Sequence, residues 1–337
     1  MDSLSQAALG ATVAGVCAPP NHRGKAMLLG AGLGTLPDLD VFIDFGGAVE
    51  NFTYHRGFSH SLFVLAPSSV LIWFALWRWW APVRDKPLRW LAAVSLTLLT
   101  HPLLDAHTAY GTQLFWPLET PPISWATLFI IDPLYTLPLL LAVLVAAFRR
   151  QAGRVALQTG LVVSMLYIGW SWAAQSMVAR GVDDALASMQ VEDARVFVTP
   201  TPFNTLLWRV VVVADEYYLE GFDSLLIDEG AIRFARFPLG ADTFAESSDI
   251  WAVRRLRWFA RGFVKAHVDN DLLVISDLRM GQEPVYVFSH AVAARRNPHW
   301  VEIPAELLPV SFGDRALTET WERIWRDDDL DEAAMGN

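Results

Sequence analysis

Tyr54-His55-Arg56-Gly57-Phe58-Ser59-His60-Ser61 runs directly into Leu62 to Trp77, a segment without one charged residue. Two imidazoles and a guanidinium at the mouth of such a segment decide the reading of the chain, because ionisable groups at membrane depth are costly and rare. A second stretch, His101-Pro102-Leu103-Leu104-Asp105-Ala106-His107-Thr108, closes another apolar run, and the two together hold four of the eight histidines. Imidazole and carboxylate are usual ligands of divalent transition metals. The first expectation is a metal site at a membrane face.

Composition points the same way. Of 337 residues 53% are hydrophobic and 18% charged, too apolar for an ordinary soluble enzyme and consistent with a membrane part plus a soluble part. Residues 1–179 carry 10 Lys/Arg against 9 Asp/Glu, and residues 180–337 carry 16 against 27, so the net charge moves from +1 to −11. Cys17 is the one cysteine, which excludes an intramolecular disulfide. Val16 before it argues against a lipoprotein cleavage site, and no basic region precedes the first apolar stretch as a cleaved signal peptide requires.

Leu4 to Ala18 and Ala26 to Leu36 are each short of a full span and read as a helical hairpin, whose small residues allow close contact. Spans are predicted over Leu62 to Trp80, Leu88 to Leu104, Ile123 to Phe148 and Val155 to Ala179. The connections holding Arg23 and Lys25, then Arg78, Arg84, Lys86 and Arg89, then Arg149, Arg150 and Arg154 are basic, hence cytoplasmic. The His/Asp loops and everything after Ala179 then share the outer face. Beyond Arg180, Ala194 to Thr199, Leu206 to Val213, Tyr217 to Ile227, Leu272 to Asp277 and Val285 to Ser289 read as strands, and Ser248 to Phe263 as a helix. The expected architecture is a polytopic α-helical membrane domain (1–179) followed by a soluble extracytoplasmic α+β domain (180–325) and an acidic disordered tail (326–337). No basic nucleic-acid surface is present, and the acidic tail does not suit nucleic acid.

His101 and Asp105 are four apart, on one helical face if the helix continues, and serve either as a ligand pair or as capping and interhelical hydrogen-bond partners. His55 and His60 are five apart, so one of them can stand outside the ligand set and orient a ligand. In Leu36-Pro37-Asp38-Leu39-Asp40 an extended segment would put both carboxylates on one side, with Asp38 a ligand and Asp40 orienting a histidine, or both in a turn role. Asp132 reads as functional by its depth or as a helix N-cap before Pro133; Asp2, Gln6 and His107 are additional metal candidates. A metal so held, zinc first with manganese or iron as alternatives, lowers the pKa of bound water toward ~7. Arg56 would clamp a phosphoryl oxygen or snorkel at the interface, and Ser59 or Thr108 would orient substrate or ligands.

With these residues assembled, the chain resembles the YdjM-like family of membrane-bound metal-dependent hydrolases. The matching elements are Met1-Asp2-Ser3-Leu4-Ser5-Gln6-Ala7-Ala8-Leu9-Gly10, Leu36-Pro37-Asp38-Leu39-Asp40, His55-Arg56-Gly57-Phe58-Ser59-His60-Ser61 and His101-Pro102-Leu103-Leu104-Asp105. The resemblance implies hydrolase chemistry with ligands at His55, His60, His101 and Asp105, and Asp38 beside them. Some relatives have histidine where Gln6 stands here. The H-x3-D pattern is also similar to zinc-dependent phospholipases C and nucleases. The expected protein is a multi-pass inner-membrane hydrolase with catalytic Arg56, Asp40 and Ser59, acting on a phosphoester or ester of a membrane lipid or lipid-linked substrate. The rivals are a metal-handling membrane protein, whose ligands would be spread along a path, and an envelope assembly or structural factor, which would survive without metal.

Overall fold

The computed structural model describes residues 1–149, 151–296, 299–311, 313 and 316–326; the expected acidic tail lies, but for Arg326, outside the described residues. Among the described residues eight α-helices come first: α1 Ser3–Cys17, α2 Arg23–Thr35, α3 Ala48–Tyr54, α4 Leu62–Trp79, α5 Ala81–Asp85, α6 Pro87–Asp105, α7 Pro133–Phe148 and α8 Gly153–Met189. The chain divides into two compact units, Met1–Ile43 with Tyr54–Ser171, and Asp44–Thr53 with Trp172–Asn337.

In the first unit α1 and α2 form the expected hairpin, and glycines set its spacing. A Cβ on Gly10 would stand 2.2 Å from the Gly30 carbonyl oxygen, and one on Gly34 2.5 Å from that of Gln6. Only hydrogen at these positions lets the two backbones meet. Met1, Leu9, Val13, Leu128, Tyr135 and Leu139 form one core of this unit, while Leu33, Leu65, Val94 and Leu98 form another.

The structure departs from the expected polytopic α-helical membrane domain followed by a soluble α+β domain. Among the described residues only Leu62–Trp79 and Gly153–Met189 are long and apolar enough to cross a membrane, by length and composition. With 15, 13 and 16 residues, α1, α2 and α7 rise about 20–24 Å against the ~30 Å of hydrocarbon. The 19-residue α6 is long enough but carries Arg89 with buried Thr97, His101 and Asp105. Of the expected spans, Ile123 to Phe148 is shortened because residues 123–132 are not helical and α7 begins only at Pro133, and Leu88 to Leu104 is a helix with buried polar residues on one face. Nor does α8 end at Ala179: it continues through Arg180, Asp183 and Asp184, and its last turns belong to the second unit's core.

In the second unit β1 Arg195–Pro200, β2 Leu207–Val213, β3 Tyr217–Ser224 and β4 Phe234–Pro238 make an antiparallel meander. Trp208, Val210, Val212, Val198 and Leu219 pack against Ala174, Val178, Val182 and Ala185 of α8, which recur at helical spacing. After α9 Ala241–Glu246 and α10 Trp251–Phe259 come β5 Val264–Asp269, β6 Leu272–Asp277, β7 Gly281–Gln282, β8 Val285–Tyr286, β9 Ser289–Arg296, β10 His299–Leu307 and α11 Ala316–Glu322. Here a second antiparallel sheet has the order β10-β9-β6-β5, and β7 and β8 pair apart.

The segment Asp44–Thr53 packs within this second unit. Phe52 lies 4.8 Å, 4.6 Å and 5.2 Å from the rings of Phe259, Phe288 and His290. Arg255 donates to the Thr53 hydroxyl at 2.9 Å and to its carbonyl at 3.2 Å.

Burial lowers the His290 pKa to about 4, against the opposing charge of Asp277. An unfolded histidine takes up its proton near pH 6.5. The folded unit holds His290 neutral, so its contribution is present above pH 6.5 and is lost as the pH falls toward about 4. Hydrogen-exchange protection of β6 and β9 is expected to weaken across that window in the intact chain. His290→Leu is expected to flatten the dependence; an unchanged slope would remove His290 from the account.

Candidate metal centre

Three local structures deliver the site. Pro37 opens a 3-10 turn, Pro37–Phe42, that carries Asp38 and Asp40. At three residues per turn, positions two apart point to different sides rather than the shared face of the expected extended segment. Asp38 accordingly meets the histidines of the cluster, and Asp40 turns to His55, Arg56 and Ser59. A second 3-10 turn, Phe58–His60, precedes Ser61, whose hydroxyl caps α4 at the Phe63 N–H and donates to the Trp116 carbonyl at 2.6 Å. The α6 helix does run through Pro102 to Asp105, so His101 and Asp105 share a face, and Pro102 falls in its last turn.

Four ligand atoms converge: Asp38 Oδ1, His60 Nε2, His101 Nε2 and Asp105 Oδ2, with ligand atoms of all four residues within 4.8 Å of one another. The Nε2 atoms are 3.0 Å apart. Asp105 Oδ2 lies 3.1 Å from His60 Nε2 and 3.3 Å from His101 Nε2; Asp38 Oδ1 lies 3.3 Å and 3.5 Å from the same atoms. Tetrahedral coordination at about 2.0–2.2 Å separates ligand atoms by about 3.3–3.6 Å, a range that holds three of these five separations, with 3.0 Å and 3.1 Å just below it.

The proton arrangement fits as well. His101 Nδ1 is 2.6 Å from the Gly34 carbonyl, which can only accept, so Nδ1 carries the proton and Nε2 presents its second valence to the cluster. His60 Nδ1 is 2.9 Å from Ser59 Oγ, which donates to Asp40 Oδ2 at 2.5 Å. Two imidazole nitrogens and two carboxylates facing one another require a cation, proton or metal. Asp105 Oδ2 is buried without a hydrogen-bond partner, which leaves its lone pairs for such an ion.

Charge follows this geometry. Burial pushes the Asp38 carboxyl up, but hydrogen bonds from His101 and His60 outweigh it and hold Asp38 well below the usual carboxylate range. Asp40 is likewise lowered: burial opposes, and the hydrogen bond and charge of His55 win. Asp105 Oδ1 accepts from the Met1 amino group and from Gln6 Nε2 at 3.1 Å, with Arg56 Nη2 at 3.4 Å.

The remaining candidates fall around this cluster. His55 stands outside the four, its Nδ1 2.8 Å from Asp40 Oδ1. Arg56 is buried, donates to Thr108 Oγ1 at 3.1 Å and lies 5.2 Å over the Tyr110 ring. Its guanidinium faces inward to Asp105 and Thr108. Arg56 has φ of +57°, held by its N–H to Asp40 Oδ2 at 3.0 Å and its carbonyl to the Gln113 N–H at 3.0 Å, and such local strain collects at functional sites. Gln6 touches Asp105 and the His101 carbonyl and so positions a ligand residue. Asp2 caps α1 at Leu4 and Ser5, and Asp132 caps α7 at Leu134 and Tyr135 while accepting from Tyr167 at 3.0 Å. His107 bonds the Leu103 carbonyl and meets Trp125 at 4.7 Å. Sequence reasoning missed Tyr110 and the Gly34 carbonyl. A backbone acceptor leaves no mark on residue type, and Tyr110 sits in a loop without periodicity.

Asp40 joins both histidine-bearing turns, accepting from His55, the Arg56 N–H and Ser59. Asp40→Asn would place an amide donor against one of these donors. Metal affinity is expected to fall about 10–100-fold, the usual size for groups that orient ligands, with the helical circular dichroism unchanged. Competition against a chromophoric chelator reads it; unaltered affinity would mean that Asp40 does not hold the histidines.

The chain is 36% identical over 93 residues to the inner membrane protein YbcI of Escherichia coli (strain K12), covering 27% of this chain and 52% of that protein. It thus spans about half the length of the curated relative it matches. No solved structure matches. Residues 1–178, which hold all four converging groups, match the family model described as YdjM inner membrane protein. With over half of its length matched, the chain belongs to the YdjM inner membrane protein family.

Proposed function

We propose that this chain is a metal-dependent hydrolase of the inner membrane acting on an ester or phosphoester of an amphipathic, lipid-like molecule. The observation that supports it is the convergence of two imidazole Nε2 atoms and two carboxylate oxygens within 4.8 Å, each imidazole fixed from behind. A divalent ion bound there, zinc in our reading, would supply Lewis acidity toward an ester or phosphoryl oxygen. Gly34 and Ser59 hold His101 and His60 in the tautomer that leaves Nε2 free; Asp40 fixes Ser59, and Arg56 offsets the charge of Asp105. The groups cluster at one place, which favours hydrolysis over a conduction path.

Arg78 in the last turn of α4 and Arg84 in α5, with Arg149 at the end of α7 and Arg154 in the first turn of α8, support a cytoplasmic side for the end of α4 and the start of α8. The start of α4, and with it His60, is then extracytoplasmic, as is the chain beyond α8. The substrate would be a bilayer lipid or lipid-linked intermediate, and not nucleic acid, which an acidic chain repels.

The test is incubation of the detergent-purified chain, loaded with zinc or manganese, with phosphatidylglycerol, phosphatidic acid and bis-p-nitrophenyl phosphate. Product release is expected from at least one of them and is expected to disappear in His101→Ala. Equal release by both proteins, or none from any ester with metal bound, would overturn the hydrolase reading.

A further inference from the structure

The turn that aims Asp38 and Asp40 inward sends apolar side chains outward. Phe42 is 83% exposed and Leu39 52%, a cost to a protein in water that calls for an apolar neighbour. Across the Asp40 to Ser59 hydrogen bond, the residue before Ser59 is Phe58, also exposed, with its ring 6.3 Å from exposed Trp116. Ser61 fastens that loop by its bond to the Trp116 carbonyl. Beside it, exposed Phe115 lies 6.3 Å from the ring of Phe63.

Phe63 connects this rim to something larger. It begins an exposed stripe on α4, Phe63, Val70, Phe74 and Trp77, at spacings of seven, four and three that keep one helical face. That helix is one of the two apolar enough to cross a membrane, in a chain of an inner membrane family. Exposed apolar side chains thus run from this stripe through Phe63 and Phe115 to Trp116 and Phe58, the neighbour of Ser59. Leu114-Phe115-Trp116-Pro117-Leu118 carries no charge, and tryptophan, phenylalanine and leucine are the residues that settle at the bilayer interface.

We propose that Leu39, Phe42, Phe58, Phe115 and Trp116 form a bilayer-embedded rim occupied by membrane lipid, over which a lipid headgroup reaches the four-group cluster. The second half rests on the hydrolase reading above; the first does not. By this account Asp38 and His60 need no deep channel for substrate, since lipid arrives along the rim from the layer in which α4 stands.

The experiment uses the full chain with Cys17→Ser as background and single cysteines in place of Phe42, Phe115, Phe74 or Asn21, each labelled with bimane. Each protein is reconstituted in phosphatidylethanolamine and phosphatidylglycerol vesicles, with or without acyl chains brominated near the carboxyl end. Probes at 42 and 115 are expected to be quenched as at 74, at a depth of about 5–10 Å below the headgroups, and the probe at 21 is not. Rim probes that behave like position 21 while position 74 is quenched would overturn the proposal. So would disulfide cross-linking of Phe42→Cys between copies without quenching, which would assign the rim to a second copy of this chain. Helical circular dichroism checks that each variant is folded. Quenching at the rim without hydrolysis of any lipid or soluble ester would sink the hydrolase reading alone; hydrolysis of a soluble ester with a dry rim would sink the docking alone.

Discussion

Asp105→Ala is expected to cost about 3–5 kcal/mol of stability, the usual penalty for removing one partner of a buried charge group, and to abolish metal binding. Asp105 is fully buried, and its Oδ1 serves the Met1 amino group, Gln6 and Arg56 while Oδ2 faces His60 and His101. Alanine leaves the Arg56 guanidinium buried against Thr108 with no carboxylate to offset it. Asp105→Asn separates the two roles. It keeps the volume and the oxygen that accepts from Gln6, so part of the stability is expected to return while metal affinity stays low. Thermal unfolding in detergent, paired with metal content, reads both. An Asp105→Ala protein as stable as the parent would mean that the carboxylate is not the centre of this network.

The second large effect is mechanical. Gly30→Val is expected to destabilise the first unit at or above the upper end of the ~1–3 kcal/mol typical of overpacking. A Cβ at Gly30 would stand 2.2 Å from the Gly10 carbonyl oxygen and 2.5 Å from the Ala14 Cβ, and a backbone carbonyl cannot swing aside as a side chain can. The hairpin must then open, and it carries both Gln6, which holds Asp105, and the Gly34 carbonyl, which holds His101. Loss of metal affinity is expected to accompany the loss of stability. Gly32→Ala on the same helix is the control, since nothing lies within 4 Å of its Cβ. It is expected to gain up to about 1 kcal/mol from helix propensity. If both variants behave alike, close packing of α1 on α2 is not what sets the site.

The site was more legible than the fold. His60, His101, Asp105 and Asp38 stood out because ionisable groups beside uncharged runs are expensive, and cost is visible in residue type. The hairpin was readable from its small residues. Span number was not: residues 123–132 read as part of a span but are not helical, and α6 sets its apolar residues beside buried Thr97, His101 and Asp105. Hydropathy carries no record of where a helix starts or of which neighbour a leucine meets. The reach of α8 past Ala179 was hidden by Arg180, Asp183 and Asp184, charges that lie on a helix whose other face covers a sheet. Strands β4, β5 and β10 went unread, β4 for want of a clear alternating pattern in Phe-Ala-Arg-Phe-Pro. The turn at Asp38 and Asp40 shows the same limit at small scale. Residue types announced two useful carboxylates, but backbone conformation decided that one faces the cluster and the other its supports.

The central claim is that Asp38, His60, His101 and Asp105 bind a divalent metal ion, and elemental analysis of the detergent-purified chain tests it most directly. The intact protein is compared with a His60→Ala, His101→Ala double variant at matched folding. The account predicts stoichiometric zinc, manganese or iron in the first and its loss in the second. No bound metal in the intact, folded chain after incubation with those ions, or equal metal in both proteins, would contradict it.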